Sequence, residues 1–325
     1  MSKKNTQAQT ASAETANVKK VYDFCAKKKV ILGILIGVLA ALVIGIIARG
    51  VDLAIEFKGG TIISYTYQGD VDTKAVSDTV KNIVNTSITV RTGESLDSDA
   101  KQITISFTSN EGLTADRQTE LTNALRENFA DNDFALYDSN DVAPTSGREF
   151  LLKCLVAVIF AAIVVIIYIA IRFRNIGGWS AGVCSVFALL HDILVAVTVT
   201  ILFGFEFNSN LVAVILTILG YSINNTIVIY DRIRENRKLM PKASLDELIN
   251  VSCTQSLTRS IRTSITTIST MLIVTIVVLI KGYDSLLSFS VPLMFGLISG
   301  TYSSLFVAPV TWSWWKNKQA KKSLK

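Results

Sequence analysis

Residues 150–171 read FLLKCLVAVIFAAIVVIIYIAI and contain one charged side chain, that of Lys153. A helix needs about 20 predominantly apolar residues to cross a hydrocarbon core about 30 Å thick, so this stretch is long enough to span a bilayer. Over the whole chain of 325 residues, 50% are apolar and only 18% are charged. That composition is too apolar for an ordinary soluble protein. The stretch therefore predicts a membrane-spanning helix, and the composition predicts that there are others.

Five further apolar stretches meet the same length requirement, which predicts an α-helical polytopic membrane protein with six transmembrane helices. The five lie at 30–48, 179–203, 211–230, 263–280 and 286–312. The first of them follows a run of lysines, as the apolar region of a signal peptide also does. It is longer than such a region and ends at Arg49-Gly50 instead of a small-residue cleavage site, so we expect an uncleaved anchor.

The distribution of Lys and Arg predicts the orientation of the spans. Basic residues crowd four segments that fall on one side of six spans, namely 1–29, 172–178, 231–262 and 313–325. The short loops on the other side hold only Lys281. The positive-inside rule then predicts that both termini lie in the cytoplasm and that the protein resides in the cytoplasmic membrane.

The spans and the orientation together divide the chain into five parts. They are a cytoplasmic, partly disordered N-terminus at 1–29, a first transmembrane helix at 30–48, an extracytoplasmic domain at 49–149, a five-helix transmembrane domain at 150–312 and a basic cytoplasmic tail at 313–325. Disorder is expected for 1–18 because that segment is rich in Thr, Ala and Gln. Trp312, Trp314 and Trp315 stand where the last span meets the tail and are predicted to anchor it at the membrane interface.

The extracytoplasmic segment is large enough to be a domain. Residues 50–147 carry 16 Asp and Glu against 7 Lys and Arg, a net charge of −9. Alternating or β-rich runs predict strands at 61–67, 87–91, 101–107 and 134–137, and Asp72 and Thr114 are candidate caps of two amphipathic helices. The resulting order, β-α-β-β-α-β, predicts an α+β ferredoxin-like domain between the first and second transmembrane helices.

Several short strings resemble one protein family in their order and spacing. Residues 50–61 read GVDLAIEFKGGT directly after the first span, and the pair Gly59-Gly60 suits a tight turn because glycine tolerates positive φ. The other strings are Leu190-His191-Asp192, Gly220-Tyr221-Ser222-Ile223-Asn224-Asn225-Thr226, Asp231-Arg232-Ile233-Arg234-Glu235-Asn236, Gln255-Ser256-Leu257-Thr258-Arg259-Ser260 and Gly300-Thr301-Tyr302-Ser303-Ser304. Over roughly residues 30–312 they resemble the SecF branch of the SecD/SecF family of protein-export proteins.

The resemblance implies a function and partners. SecF-like chains form a heterodimer of the RND transporter type with SecD-like chains, and the pair associates with the SecYEG translocon. It uses the transmembrane ion gradient, such as the proton motive force, to assist Sec-dependent protein translocation, so the exported preprotein is a further candidate partner. Two alternatives stay open: a non-transporting structural half of the complex, and a half-size RND-type exporter of small molecules or lipids.

Enzymatic, metal-binding and nucleic-acid-binding functions are not expected. His191 is the only histidine and the four cysteines form no CxxC pair, so the sequence predicts no zinc site. It contains no nucleophile–base pair or P-loop, and it predicts no cofactor. The basic tail is interpreted as a membrane anchor and not as a nucleic-acid site.

Asp192 is the leading candidate for a functional residue inside the membrane. It lies about 12 residues into its predicted span, roughly 18 Å along the helix at 1.5 Å per residue, which is near the midplane. A carboxylate there is costly unless it is protonated, paired or in contact with water. We therefore predict an ion-relay residue, the alternative being a neutral acid that is hydrogen-bonded between helices. His191 is a candidate relay partner or an interhelical hydrogen-bond donor.

Asn225 marks a departure from the family. SecF-like chains usually have Asp at this position, and an amide can hydrogen-bond but cannot titrate. Three hypotheses stay open: the SecD-like partner supplies the working acid, Asp192 carries more of the relay, or the coupling ion is Na⁺ with an amide oxygen as a ligand. Ser222 and Asn224 belong to the same candidate site, and the alternative is that Asn224 and Asn225 only hold helices together.

Two charged motifs complete the candidate set. Arg259 matches a basic family residue expected to meet an acid at the SecD–SecF interface, and the alternative is an arginine that extends to the cytoplasmic surface. Asp231, Arg232, Arg234, Glu235 and Asn236 form a charged cluster after the fourth span. We expect it to be solvated and to contain an i,i+3 pair between Asp231 and Arg234, while a gating or docking role is implied only by the family.

Overall fold

The computed structural model describes residues 20–84, 86, 88–94, 101–108 and 113–323, so the predicted disorder of 1–18 lies outside the described residues. In chain order the elements are α1 (Lys28–Arg49), α2 (Ile55–Lys58), β1 (Gly60–Tyr67), α3 (Thr73–Val84), β2 (Ile88–Glu94), β3 (Lys101–Phe107), α4 (Ala115–Asn128), β4 (Ala135–Val142), α5 (Pro144–Arg172), α6 (Gly178–Phe203), α7 (Ser209–Leu239), α8 (Leu245–Lys281), α9 (Asp284–Tyr302), a π-helical turn (Ser303–Val307) and α10 (Ala308–Ser323).

Within the described residues, six helices are long and apolar enough to cross a membrane, which confirms the predicted fold class. They are α1, α5, α6, α7, α8 and the continuous unit that α9, the π-helical turn and α10 form. All but α1 are packed into one bundle around α6 and α9, while α1 lies against α6. The protein is therefore a multi-pass membrane protein.

Several helices extend beyond the apolar stretches that predict them. α5 begins at Pro144 instead of residue 150, because proline fits the first turn of a helix, where no backbone donor is needed. α8 begins at Leu245 instead of residue 263, after a cap in which the Ser244 hydroxyl accepts from the backbone N–H of Glu247. The segment 231–262 is therefore mostly helical. The sequence predicts shorter helices because this segment is polar, and hydropathy detects only the apolar part of each helix.

The basic tail is also helical, since α10 continues to Ser323. Trp312 is buried within it, stacks edge-to-face on Tyr230 and donates a hydrogen bond of 3.0 Å to the Ser180 hydroxyl. The prediction that Trp312 anchors the tail at the interface is therefore wrong, because this ring fills the bundle core. Trp314 and Trp315 are exposed, as interfacial anchors must be.

The segment between α1 and α5 forms the predicted βαββαβ domain. Its four strands pair antiparallel in the order β2-β3-β1-β4, and α3 and α4 cover one face of the sheet. Asp72 and Thr114 cap the two helices as expected. The core under them is formed by Ile63, Tyr65, Ile103, Ile105, Phe107, Val76, Val80, Leu121, Leu125 and Phe134.

Two strands exceed their predicted lengths. β4 continues to Val142 instead of residue 137 because it is an exposed edge strand, whose polar residues hide the alternation on which the prediction depends. β2 continues to Glu94 instead of residue 91, and residue 87, where its predicted start falls, lies outside the described residues.

The pair Gly59-Gly60 makes two close backbone approaches, one to the start of α5 and one to the end of β3. Both residues have positive φ, +84° and +145°. A β-carbon at Gly59 would lie 2.4 Å from the Cα of Pro144, and one at Gly60 would lie 2.3 Å from the carbonyl oxygen of Phe107. Glycine is therefore required where β1 passes the start of α5.

Candidate functional site

Asp192 lies near the middle of α6 and is fully buried. Three serine hydroxyls donate hydrogen bonds to its carboxyl group. Ser222 and Ser303 bond to Oδ2 at 2.7 and 2.6 Å, and Ser299 bonds to Oδ1 at 2.6 Å. These three hydrogen bonds offset part of the cost of burying an ionised carboxyl group.

Four separate elements bring these groups together. Asp192 comes from α6, Ser222 from α7, Ser299 from α9 and Ser303 from the π-helical turn. Gly300 lets α9 approach closely, since a β-carbon there would lie 3.2 Å from the Ser222 Cβ and 3.6 Å from the Asp192 Oδ2. Ser299 and Ser303 lie four residues apart, a spacing that places both on one face of a helix. A π-helical turn at this point fits the tendency of such turns to occur at functional sites.

His191 extends this cluster. Its Nδ1 lies 3.2 Å from the Ser299 Oγ and 3.3 Å from the Asp192 Oδ1. When Nδ1 carries the proton, it donates to Ser299, which in turn donates to Asp192. The buried Nε2 of His191 has no hydrogen-bond partner within the part of the chain that the structure describes, and neither has the hydroxyl of Tyr302, whose ring lies 5.9 Å from the imidazole.

This arrangement suits a carboxyl group that changes its protonation state. As a carboxylate, Asp192 accepts from three hydroxyls, and as an acid it donates one proton to a serine oxygen. A serine hydroxyl donates or accepts after rotation about one bond, so both states find hydrogen-bond partners. The cluster therefore brings one carboxyl group and three hydroxyl oxygens together, and oxygens of this kind bind hard cations.

The two candidate asparagines point in different directions. Asn225 is buried one turn along α7 from Ser222, and its Nδ2 lacks a partner among the described residues. Asn224 is exposed on the outer surface of α7. The structure thus places Asn225 beside the serine cluster and separates Asn224 from it.

A second hydroxyl cluster joins α7, α8 and α9 beside the first. Tyr221 donates to the Ser264 hydroxyl at 2.9 Å, and Thr301 donates to the same oxygen at 2.7 Å. The sequence pattern does not identify Ser264, Ser299 or Ser303 as members of a site. The available signal for Ser299 and Ser303 is their i,i+4 spacing around Gly300 in the sixth span.

The charged cluster after the fourth span ties α7 to its neighbours. Asp231 lies 2.8 Å from Arg234, the expected i,i+3 pair, and 3.1 Å from Arg172 of α5. On the other face of α7, the Asn236 amide donates to Ser252 and Gln255 of α8 at 2.8 and 2.9 Å. Arg232 also binds Gln255, at 2.7 Å, and pairs with Glu235 at 2.7 Å. The cluster is therefore less solvated than expected, because it fixes three helices at the basic end of the bundle.

Five exposed polar or small residues of α7 and α8 define a polar surface, and Ile261 and Ile265 of α8 are exposed as well. Gly220 and Asn224 of α7 and Arg259, Thr263 and Thr266 of α8 are all exposed. Arg259 forms no ion pair with any residue that the structure describes. A polar surface at membrane depth is poorly suited to lipid, so this one is suited to contact with another protein.

Comparisons with known proteins agree with this architecture. The family described as protein export membrane protein SecD/SecF, C-terminal, matches residues 121–318. The protein translocase subunit SecF of Petrotoga mobilis is 32% identical over 289 residues, which cover 88% of this chain and 93% of that relative. The SecDF subunit of Bacillus subtilis is 41% identical over 184 residues, covering 56% of this chain and 24% of that relative.

A solved structure matches as well. The crystal structure of SecDF from a Thermus species, described as a translocon-associated membrane protein, superposes with a TM-score of 0.76 at 27% identity. The match covers 93% of this chain but 39% of that one, so the chain spans about two fifths of the length of the SecDF structure. Because the family matches more than half of the chain and the Petrotoga relative matches over nearly its full length, the chain belongs to the SecD/SecF family of protein-export membrane proteins, as a SecF-like member.

Proposed function

We propose that this SecF-like subunit works with a SecD-like partner as an ion-gradient-driven assistant of Sec-dependent protein translocation. In this proposal it lies in the cytoplasmic membrane with both termini inside, as its basic segments favour. The observation that supports the ion coupling best is Asp192, a fully buried carboxyl group that three serine hydroxyls hold in the middle of the bundle.

Protonation of Asp192 would change the packing of the bundle. The carboxyl group of α6 holds α7, α9 and the π-helical turn through hydroxyl donors. A neutral acid attracts those donors less strongly than a carboxylate does. Proton or Na⁺ binding at this site therefore shifts the relative positions of these helices. The His191 Nε2, which has no partner among the described residues, is a candidate point of proton entry.

The outer ends of α6 and α7 offer a path from this shift to the extracytoplasmic domain. The Phe207 backbone, between these two helices, exchanges hydrogen bonds of 2.9 and 2.7 Å with Ala54 and Asp52. Arg91 of β2 lies 3.2 Å from Glu206 in the same connection. Movement of α6 against α7 is thus passed to the βαββαβ domain, where an exported preprotein would be contacted.

The polar surface on α7 and α8 is the proposed site of the SecD-like partner. The Bacillus relative is named SecDF and is much longer than this chain, which favours a partner of the SecD type. Arg259 would then meet an acid of that partner, and contact with the SecYEG translocon would follow through the assembled pair.

A second function, a structural half without ion transport, gains support from Asn225. This buried residue stands where the family usually has an acid, and its amide cannot titrate. In that case the SecD-like partner supplies the working acid, and Asp192 only stabilises the packing of the helices.

Export of a secreted reporter, with and without an imposed ion gradient, tests the proposal. Cells carry the wild type, Asp192→Asn or Asn225→Asp. We expect Asp192→Asn to abolish the gradient-dependent part of export, and Asn225→Asp to retain it because the family usually has Asp there. Unchanged gradient dependence in Asp192→Asn would favour the structural half.

A further inference from the structure

A cavity of about 450 Å³ opens at the basic end of the membrane domain, away from the Asp192 cluster. It lies between the end of α5, the start of α6 and α10. Its walls include Ala170, Val183 and the rings of Trp179 and Trp315. The two tryptophans are 68% and 43% exposed. Large aromatic rings in this position mark the level of the lipid headgroups.

The polar lining of this cavity is entirely basic or neutral. Arg174 and Lys316 line it together with Gln319, and no Asp or Glu does. The ammonium of Lys316 lies over the backbone of Gly177, where a β-carbon would be 3.0 Å from its Nζ. Neither cation forms an ion pair within the described ranges. Both charges therefore line one cavity without a counter-charge from the described residues, with Arg174 exposed and Lys316 partly exposed.

The start of α6 adds to this positive potential. Gly177, with φ of +97°, precedes the helix and provides no side-chain cap. The Ser180 hydroxyl does not serve instead, since it donates to the Gly177 carbonyl at 2.8 Å and accepts from Trp312. Cations are unfavourable at a helix N-terminus, whose free N–H groups attract anions. A bound anion would therefore balance the charges of Arg174 and Lys316 and accept hydrogen bonds from the free N–H groups at the start of α6.

The exposed surface of α6 continues from the cavity into the bilayer as an apolar track. Val183, Phe187 and Leu190 are each at least 39% exposed. Their spacing of three or four residues places them on one side of the helix. The cavity therefore joins an anion-binding end to a surface of acyl-chain character.

We propose that this cavity binds an anionic phospholipid, with its phosphate at Arg174, Lys316 and the start of α6. One acyl chain lies along Val183 and Phe187. Basic pockets between transmembrane helices are suited to such headgroups, and the apolar walls and track would contribute nothing to the binding of free phosphate. This proposal requires only that the helices span a membrane, and it does not depend on the proposed ion coupling.

Quenching of tryptophan fluorescence by brominated lipids tests this proposal. All four tryptophans of the chain, at 179, 312, 314 and 315, lie at or near the cavity, so the signal reports this region. The full chain is reconstituted in vesicles of phosphatidylcholine that contain brominated phosphatidylglycerol or, separately, brominated phosphatidylcholine. The ratio of the two quenching affinities measures the preference for the anionic lipid. Added inorganic phosphate, against chloride at equal ionic strength, tests a free-anion site.

The double variant Arg174→Gln, Lys316→Gln removes the two cavity charges, and Lys321→Gln, Lys322→Gln removes two exposed charges from the same end of the chain. We expect the preference to fall by roughly 25-fold in the first variant, since each of the two basic residues near an anionic surface contributes about fivefold in affinity. The second variant should keep most of it. An equal fall in both variants, no fall in the first, or displacement of the lipid by phosphate would overturn the proposal. Unquenched emission identical to the wild type verifies that each variant is folded.

Discussion

At the scale of single residues, the burial of Asp192 decides what the bundle can do. An isolated carboxylate at this depth is costly, and the serine hydroxyls at 2.6–2.7 Å offset part of that cost. The same hydroxyls can also accept a hydrogen bond from the neutral acid after rotating about one bond. Asn225, by contrast, contributes a fixed amide and an Nδ2 that lacks a partner in the described part of the chain.

Ser303→Ala tests whether this hydroxyl stabilises the bundle through Asp192. The variant loses the 2.6 Å hydrogen bond to Oδ2, and we expect the free energy of unfolding to fall by about 1–2 kcal/mol. Thermal unfolding in detergent micelles measures the change. The matched control is Ser290→Ala on α9, whose buried hydroxyl has no partner among the described residues and whose loss should have little effect. Equal stability of the two variants would show that the bond contributes nothing.

At the scale of elements, the close contact of α9 with α6 and α7 builds the site. The apolar stretches predict all six transmembrane helices, and alternation of apolar and polar residues predicts the βαββαβ order. The partners of Asp192 are less accessible to prediction, because Ser299 and Ser303 lie over 100 positions away along the chain, and their contact depends on how each helix is rotated. The π-helical turn at Ser303–Val307, which helps to set that rotation, leaves no signal in hydropathy.

Gly300→Ala tests this close contact. Its new methyl group would lie 3.2 Å from the Ser222 Cβ, so α9 must move away by a few tenths of an ångström and lengthen the hydrogen bonds to Asp192. We expect lower gradient-dependent export and a lower unfolding midpoint, although alanine itself favours helix by up to about 1 kcal/mol. Gly33→Ala in α1 is the control, since nothing lies within 4 Å of its β-carbon, and it should be neutral or stabilising. A Gly300→Ala variant as active as this control would exclude the need for close contact.

At the scale of the whole molecule, the Asp192 cluster, the outer connection and the polar surface occupy successive parts of one bundle. The cluster joins α6 to α7 and α9, the 204–208 connection joins α6 and α7 to the outer domain, and the polar surface on α7 and α8 is free for a partner. This order fits the proposal that ion binding at Asp192 moves the βαββαβ domain. The anionic-lipid site lies apart, at the basic end, where it would fix the bundle in the membrane.

The proposed role of Asp192 in ion transfer is tested most directly by ion flux through the reconstituted complex. The chain and its SecD-like partner are placed in vesicles with an imposed proton or Na⁺ gradient, and a dye inside reports the ion. We predict that Asp192→Asn abolishes the gradient-driven flux of the wild type, while Ser290→Ala retains it. Flux through Asp192→Asn equal to that of the wild type would contradict the proposal and leave Asp192 a structural residue.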